Sequence, residues 1–261
     1  MRIARIRTSD GTTTHAVLEG QAAQPIHGDI FGEWKAAGRP VPLEEVKLLA
    51  PLAPVNLLCF GRNYRAHAEE EGSDLPREPL LFIKASSCVI ASGEPIVIPA
   101  AAPSQVDYEA ELAVVIGRPA RNVSRQDALA HVFGYLCAND VSARDVQNRD
   151  GQWSRAKSFD TFGPLGPWIE TDLDPRDLRI RGRLNGRVMQ EASTALMIFD
   201  IPFLISYLSR GMTLLPGTVL STGTPSGCGF ARKPPVWLKP GDTFEVEIDG
   251  IGTLTNPVIG K

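Results

Sequence analysis

VDYEAELAVVIG, Val106 to Gly117, is the stretch on which the reading of this chain turns. As a β-strand it alternates with a period of two, so every second residue shares a face. One face carries Tyr108, Ala110, Leu112, Val114 and Ile116, an ordinary core set. The other carries Asp107, Glu109 and Glu111 before it turns apolar at Ala113 and Val115. Like charges on one strand face repel, and carboxylates near a core lose hydration. Two explanations fit: this end of the strand stands in water with its acids solvated, or the acids converge on a cation. Residues i and i+2 of a strand lie about 7 Å apart, and glutamates at both can reach one hard metal ion at roughly 2.0–2.5 Å. Two carboxylates do not choose between these readings, so the cation needs a third ligand.

The 261 residues are 43% hydrophobic and 22% charged. That fits a globular protein with a sizeable core, either one large β-rich domain or a domain with a small appendage. A formal net charge of −3 and the lack of a Lys/Arg run argue against nucleic acid or an anionic membrane as partner. No stretch reaches the ~18 apolar residues of a membrane span, and the start, MRIARIRTSDG, has no signal-peptide core. Cys59, Cys88, Cys137 and Cys228 are scattered, without CxxC spacing, in apolar or Gly-rich settings. They read as buried free thiols in a reducing compartment, by default the cytoplasm.

Outward from the strand, 24 glycines and 21 prolines punctuate many short β-type runs. This predicts a β-rich α+β fold rather than a βαβ repeat. Residues 1–54 form a small N-terminal unit that opens with a hairpin over Asp10-Gly11 and closes at LLAPLAP; residues 55–261 form the main domain. Asn185-Gly186 and Asp249-Gly250 predict further hairpin turns. Ser124 and Asp127 predict a capping box that starts a short helix. DIPFLISYLSRG predicts a helix with Asp200 as N-cap and Gly211 as its stop.

Chemistry concentrates in four further places. In CFGRNYRAHAEEEG, Asn63 can cap a two-turn helix in which His67 faces Glu70 and Glu71 at i+3 and i+4. Three glutamates then sit at the helix C-terminus, where the macrodipole disfavours them; this is a strained functional site or a solvated turn. In CANDVSARDVQ, Asp140 ends an apolar strand and is the candidate third carboxylate. Its rival Asp145 reads as half of a Ser142 capping box, and Asp150 and Asp160 read as turn formers. Three carboxylates without Cys or His select Mg²⁺ or Mn²⁺ over zinc. Lys157, among aromatic and Pro-Gly sequence, is a partly buried ammonium or a snorkelling surface lysine. The loop LSTGTPSGCG, Leu220 to Gly229, can present backbone N–H groups and Thr224 to an anion but is no P-loop.

Taken together, these segments resemble the fumarylacetoacetate hydrolase superfamily. The resemblance is carried by the E-x-E strand with a later Asp, GRNYRAHAEE, ARDVQ, AKSFD and TGTPSG, in order over roughly Val55 to Val258. It implies a mixed β-sheet roll with a small N-terminal accessory domain, usually homodimeric. It implies that Glu109, Glu111 and Asp140 bind Mg²⁺ or Mn²⁺, and that His67 and Glu70 form a dyad that activates water. Lys157 is then expected to stabilise an enolate, and Arg144, Gln147 and Thr224 to hold the oxygens of a keto-acid substrate. The segment around His67 is expected to act as a lid. The reaction this favours is hydrolysis of the C–C bond in acylpyruvate-type 2,4-diketo acids. The alternatives are decarboxylation of oxaloacetate-like β-keto acids, isomerisation of hydroxymuconate-type dienes, or silent binding of metal and keto acid.

Overall fold

The alternation of Val106–Gly117 forms two strands rather than one. In the structure, a computed structural model describing residues 1–102 and 104–260, Val106–Asp107 pairs with Ser142–Ala143. That pair is a small separate ribbon; the chain then passes through Tyr108 and Glu109 and enters the main sheet as Ala110–Ile116. All seven residues of that second strand are buried, because it has an apolar cluster on each side. Leu112, Val114 and Ile116 pack with Phe60, Ile205 and Leu254. Ala113 and Val115 pack with Ile3, Leu57, Leu136 and Val219. A half-solvated strand alternates apolar with polar, whereas a strand between two cores reads as apolar throughout, which is what LAVVI does.

Ala110–Ile116 lies inside a long curled mixed sheet. The strand order is Leu80–Lys84, Leu57–Gly61, Val219–Ser221, Ala110–Ile116, Val132–Asn139, Gly163–Glu170, Arg2–Arg7, Thr13–Glu19, Ala22–Gly28 and Trp34–Ala36. Val219–Ser221 and Leu57–Gly61 run parallel, and the other neighbours along this path are antiparallel. A second sheet, ordered Ile96–Ile98, Gly252–Gly260, Thr243–Ile248, Arg179–Leu184 and Arg187–Ser193, covers the first of the two clusters. Tyr108 and Phe244 stack across that contact, ring centroids 4.5 Å apart. Gly182 permits the approach: a Cβ there would lie 2.9 Å from the Phe244 ring and 3.1 Å from Ala110 Cβ. This is the β-rich α+β architecture expected from the sequence.

Among the described residues four α-helices decorate the sheets: α1 (Arg65–Glu70), α2 (Arg144–Asp150), α3 (Trp153–Lys157) and α4 (Ile201–Gly211). Asp200 caps α4, accepting from Phe203 N at 2.9 Å. The expected hairpin turns form at Asp10-Gly11, Asn185-Gly186 and Asp249-Gly250, each with its glycine at positive φ. Three local expectations fail, two of them because a distant partner claims the side chain. Asn63 does not cap α1; its amide bonds Phe199 and Thr222 instead. Ser142 does not cap α2; its hydroxyl donates to the Asp140 carbonyl and accepts from Lys157. Ser124 and Asp127 do bond each other, but a short 3-10 turn, Ala128–His131, follows in place of an α-helix. The first strand pairs through Arg2 and Ile3 with Glu170 and Ile169, so the N-terminal strands extend the main sheet. Among the described residues no helix is long and apolar enough to cross a membrane.

Candidate active site

Register brings the three carboxylates together. Val132–Asn139 pairs with the central strand at Ala110↔Asn139 and Glu111↔Ala138, so its last step places Asp140 beside Glu109. Asp140 N–H donates to the Glu109 carbonyl at 2.9 Å. Carboxylate oxygens of Glu109, Glu111 and Asp140 lie within 4.8 Å of one another. All three side chains are buried, at 4%, 1% and 2% exposure. The solvated reading of these acids is therefore excluded.

Buried like charges must be neutralised, and here lysines and an arginine do it. Lys157, at the end of α3 and 2% exposed, is no surface lysine. Its ammonium donates to Asp140 Oδ2 at 2.6 Å, Glu109 Oε2 at 2.8 Å and Ser142 Oγ at 2.8 Å. Lys84 donates to Asp140 Oδ1 at 2.5 Å and to the Phe162 carbonyl at 2.7 Å. Arg144, opening α2, donates to Glu109 Oε1 at 2.5 Å and Asp107 Oδ2 at 2.9 Å. Among the described residues Glu111 accepts only from neutral donors, Ser221 Oγ at 2.5 Å and Gly223 N at 3.0 Å. The two glutamates therefore diverge. Burial would raise Glu109, but the Lys157 and Arg144 cations hold it below the usual carboxylate range. Burial, reinforced by Asp140 and Glu109, pushes Glu111 up. Burial alone would discharge Lys157, but Asp140 and Glu109 keep it an ammonium. Three crowded oxygen donors, one of them short of positive charge, fit a hard divalent cation.

The dyad comes from α1. His67 Nδ1 is 2.9 Å from Glu70 Oε1, and Glu70 in turn accepts from Gly227 N at 2.8 and 3.1 Å. Arg62 donates to Glu71 at 2.7 Å. The acidic helix end is thus compensated by Arg62 and by the loop, while Glu69 stays in solvent. Buried His67 faces the same inner pocket as Glu109, Glu111, Arg144, Gln147, Lys157 and Thr224. Asn63 ties the root of α1 to Phe199 and Thr222. Gly223, at φ +97, is required there, since a Cβ would sit 2.7 Å from that of Asn63.

The proposed oxygen-holders are present with differing freedom. Gln147 Oε1 accepts from Arg144 at 3.0 Å, leaving its amide nitrogen to donate. The Thr224 hydroxyl is already engaged, donating to the Ala110 carbonyl at 2.9 Å and accepting from Gln190 at 2.7 Å. An outer cavity of about 280 Å³ shares Arg62, Glu71, Arg144, Gln147 and Trp153 with the inner pocket and adds Phe230 and Trp237. Asp145, Asp150 and Asp160 stay outside: Asp145 bonds its neighbour Val146 N, Asp150 pairs with Arg155, and Asp160 is exposed.

Sequence reasoning missed Lys84 and the role of Asp107. Lys84 ends the apolar strand PLLFIK on the face of Phe82, a position where a charge signals a buried partner. Asp107 is fully buried and joins Arg144 to the Gly229 and Phe230 amides at 2.8 and 3.2 Å.

Known proteins resemble the chain over nearly its whole length. Residues 56–259 match the family described as fumarylacetoacetate (FAA) hydrolase, C-terminal, and residues 1–51 match the Rv2993c-like N-terminal family. The chain is 45% identical to protein Rv2993c of Mycobacterium tuberculosis, over 100% of this chain and 99% of that protein. It is 40% identical to oxaloacetate tautomerase YisK of Bacillus subtilis, over 98% and 89% of the two chains. The crystal structure of 2-hydroxyhepta-2,4-diene-1,7-dioate isomerase from Mycobacterium marinum superposes with a TM-score of 0.90 at 44% identity, covering 100% of this chain and 99% of that one.

Proposed function

The chain belongs to the fumarylacetoacetate hydrolase family, and from that premise we propose that it is a divalent-metal-dependent isomerase of α-keto acids. The substrate class is an oxaloacetate-like or hydroxydienoate-like acid whose keto and enol forms are interconverted. The reading is supported by the names of relatives, an oxaloacetate tautomerase and a hydroxyheptadienedioate isomerase. Acylpyruvate hydrolysis, the first expectation from the sequence, is supported by the name of one structural neighbour, a fumarylacetoacetate hydrolase, and becomes the second reading. The observation that carries the proposal is a buried ammonium, Lys157, and a buried base, His67, facing one pocket beside three clustered carboxylates.

Glu109, Glu111 and Asp140 would hold Mg²⁺ or Mn²⁺, which when bound supplies Lewis-acid polarisation of the substrate's carboxylate and keto oxygens. Glu70 accepts from His67 Nδ1–H, which leaves Nε2 as the lone pair that takes a proton from the substrate's C3. Lys157, whose three N–H groups are engaged by Asp140, Glu109 and Ser142, stabilises by its positive charge the oxygen on which negative charge then develops. Protonated His67 returns its proton to carbon or oxygen, completing the isomerisation. Arg144 and the Gln147 amide position the carboxylate, with Thr224 as part of the wall. Hydrolysis stays as the second reading because the same His67–Glu70 pair, at 2.9 Å, can orient and deprotonate water.

Three assays with Mg²⁺ separate the outcomes: enol-to-keto conversion of oxaloacetate, pyruvate release from oxaloacetate, and pyruvate release from acetylpyruvate. Isomerisation predicts fast conversion in the first with little pyruvate in the others. Fast acetylpyruvate cleavage with slow tautomerisation installs the hydrolase, and pyruvate from oxaloacetate installs the decarboxylase. Keto-acid binding without turnover in any assay leaves a silent binding protein.

A further inference from the structure

The Gly-rich loop brings a sulfur to the dyad. Cys228 lies between Gly227 and Gly229, is fully buried, and holds its Sγ 3.9 Å from His67 Nδ1. Glu70 Oε1 lies 2.9 Å from the same nitrogen, and the three atoms fall within 4.8 Å of one another. The isomerisation just described uses the imidazole and the carboxylate but has no task for the thiol.

The geometry points to a second, softer metal site formed by His67 Nδ1, Glu70 and Cys228, which takes Zn²⁺ and thereby inhibits the enzyme. Tetrahedral zinc, with bonds of about 2.3 Å to sulfur and about 2.0 Å to nitrogen or oxygen, spaces S and N by roughly 3.5 Å and N and O by roughly 3.3 Å. The observed 3.9 and 2.9 Å bracket those spacings, and small side-chain rotations reconcile them. The donor sets divide the metals: an all-oxygen cage selects a hard cation, and a set with imidazole and thiolate selects zinc. Occupancy at Nδ1 also acts on the base. The Nδ1 proton must move to Nε2, turning the proton acceptor into a donor. The Cys228 thiol proton leaves to solvent as the Zn–S bond forms, so one proton is released per zinc. Zinc binding stands apart from the proposed isomerase activity; only its inhibitory consequence rests on that reading.

The test uses the full chain with Mg²⁺ kept saturating, so that the carboxylate cage is filled. Zn²⁺ is titrated against turnover of wild type and Cys228→Ala, and Co²⁺ replaces Zn²⁺ for absorption spectra of the same proteins. In Cys228→Ala, Mg²⁺-dependent turnover is expected to persist. Its half-inhibitory Zn²⁺ concentration should rise at least about tenfold, the smallest loss usual even for a residue that merely supports a metal ligand. Wild type should show a thiolate-to-cobalt charge-transfer band that Cys228→Ala lacks. Equal zinc inhibition in both proteins, or no such band in wild type, overturns the site. The spectrum decides the matter even if no isomerase activity is found, and Cys228→Val serves if the alanine variant fails to fold.

Discussion

The two halves of the candidate site are built in opposite ways. Glu109, Glu111 and Asp140 stand at the ends of two paired strands, between two apolar clusters, and every one of them is fixed by a donor from elsewhere in the fold. His67 and Glu70 ride on the six residues of α1, a helix without a side-chain N-cap. That helix is moored at its root by Asn63 and at its tip by Gly227 and Arg62. So short a helix has little stability of its own. The contrast teaches that the charges are stored on strands buried between two cores, whereas the proposed proton-transfer pair is carried by a short helix held through its ends.

The comparison breaks hardest at the cage. Glu109→Ala, Glu111→Ala or Asp140→Ala should each reduce Mg²⁺-dependent turnover to background while circular dichroism reports an intact fold. Full activity in any of them without excess metal would remove that residue from the cage. At the helical half the loss should be smaller. His67→Ala is expected to cost about 10²–10⁴-fold in turnover, the usual range for a general acid–base, with Mg²⁺ affinity by calorimetry unchanged. Altered affinity would make His67 part of the metal site.

Lys84 tests how far rigidity supports the cage. Lys84→Met leaves Asp140 short of a buried partner and should weaken Mg²⁺ binding by about 10- to 100-fold, as outer-shell changes do. It should also destabilise the metal-free protein by about 3–5 kcal/mol, the usual result of breaking a buried ion pair. Denaturant unfolding with and without Mg²⁺ reads both, and wild-type values in each would reduce Lys84 to packing. The mildest perturbation needs no mutation. Hydrogen exchange should find the amides of α1 weakly protected in the free protein and well protected with Mg²⁺ and oxalate, while those of Ala110–Ile116 are protected in both. Equal protection of α1 in the two states would make it a fixed wall rather than a lid.

What could be read from the sequence was whatever local spacing carries. Glu109 and Glu111 are two residues apart across the start of one strand, and Asp140 follows an apolar run, so only the pairing of two strands had to be supplied. Asp200 caps its helix because its partner is three residues away. What escaped was set by distance along the chain. Lys84 has meaning only beside Asp140 and Phe162, and Asp107 only beside Arg144 and the Gly229 amide. Asn63 and Ser142 fit capping patterns well, yet residues 136 and 15 positions away claim their side chains. A side chain with two possible partners follows the buried one, and burial is not written in any short window.

The joining of the first strand to Gly163–Glu170 bears on how the chain is made. Arg2–Arg7 finds Thr13–Glu19 within the first twenty residues, and Lys47–Leu49 later covers Arg5 to Arg7. The partners of Arg2 and Ile3 are Glu170 and Ile169. At ribosomal speeds of about 5–20 residues per second, these partners emerge on the order of ten to thirty seconds later. During that interval the nascent N-terminal meander presents an open strand edge with Ile3 on it. Arginines at positions 2, 5 and 7 place on that edge the charges that discourage pairing with a neighbouring chain.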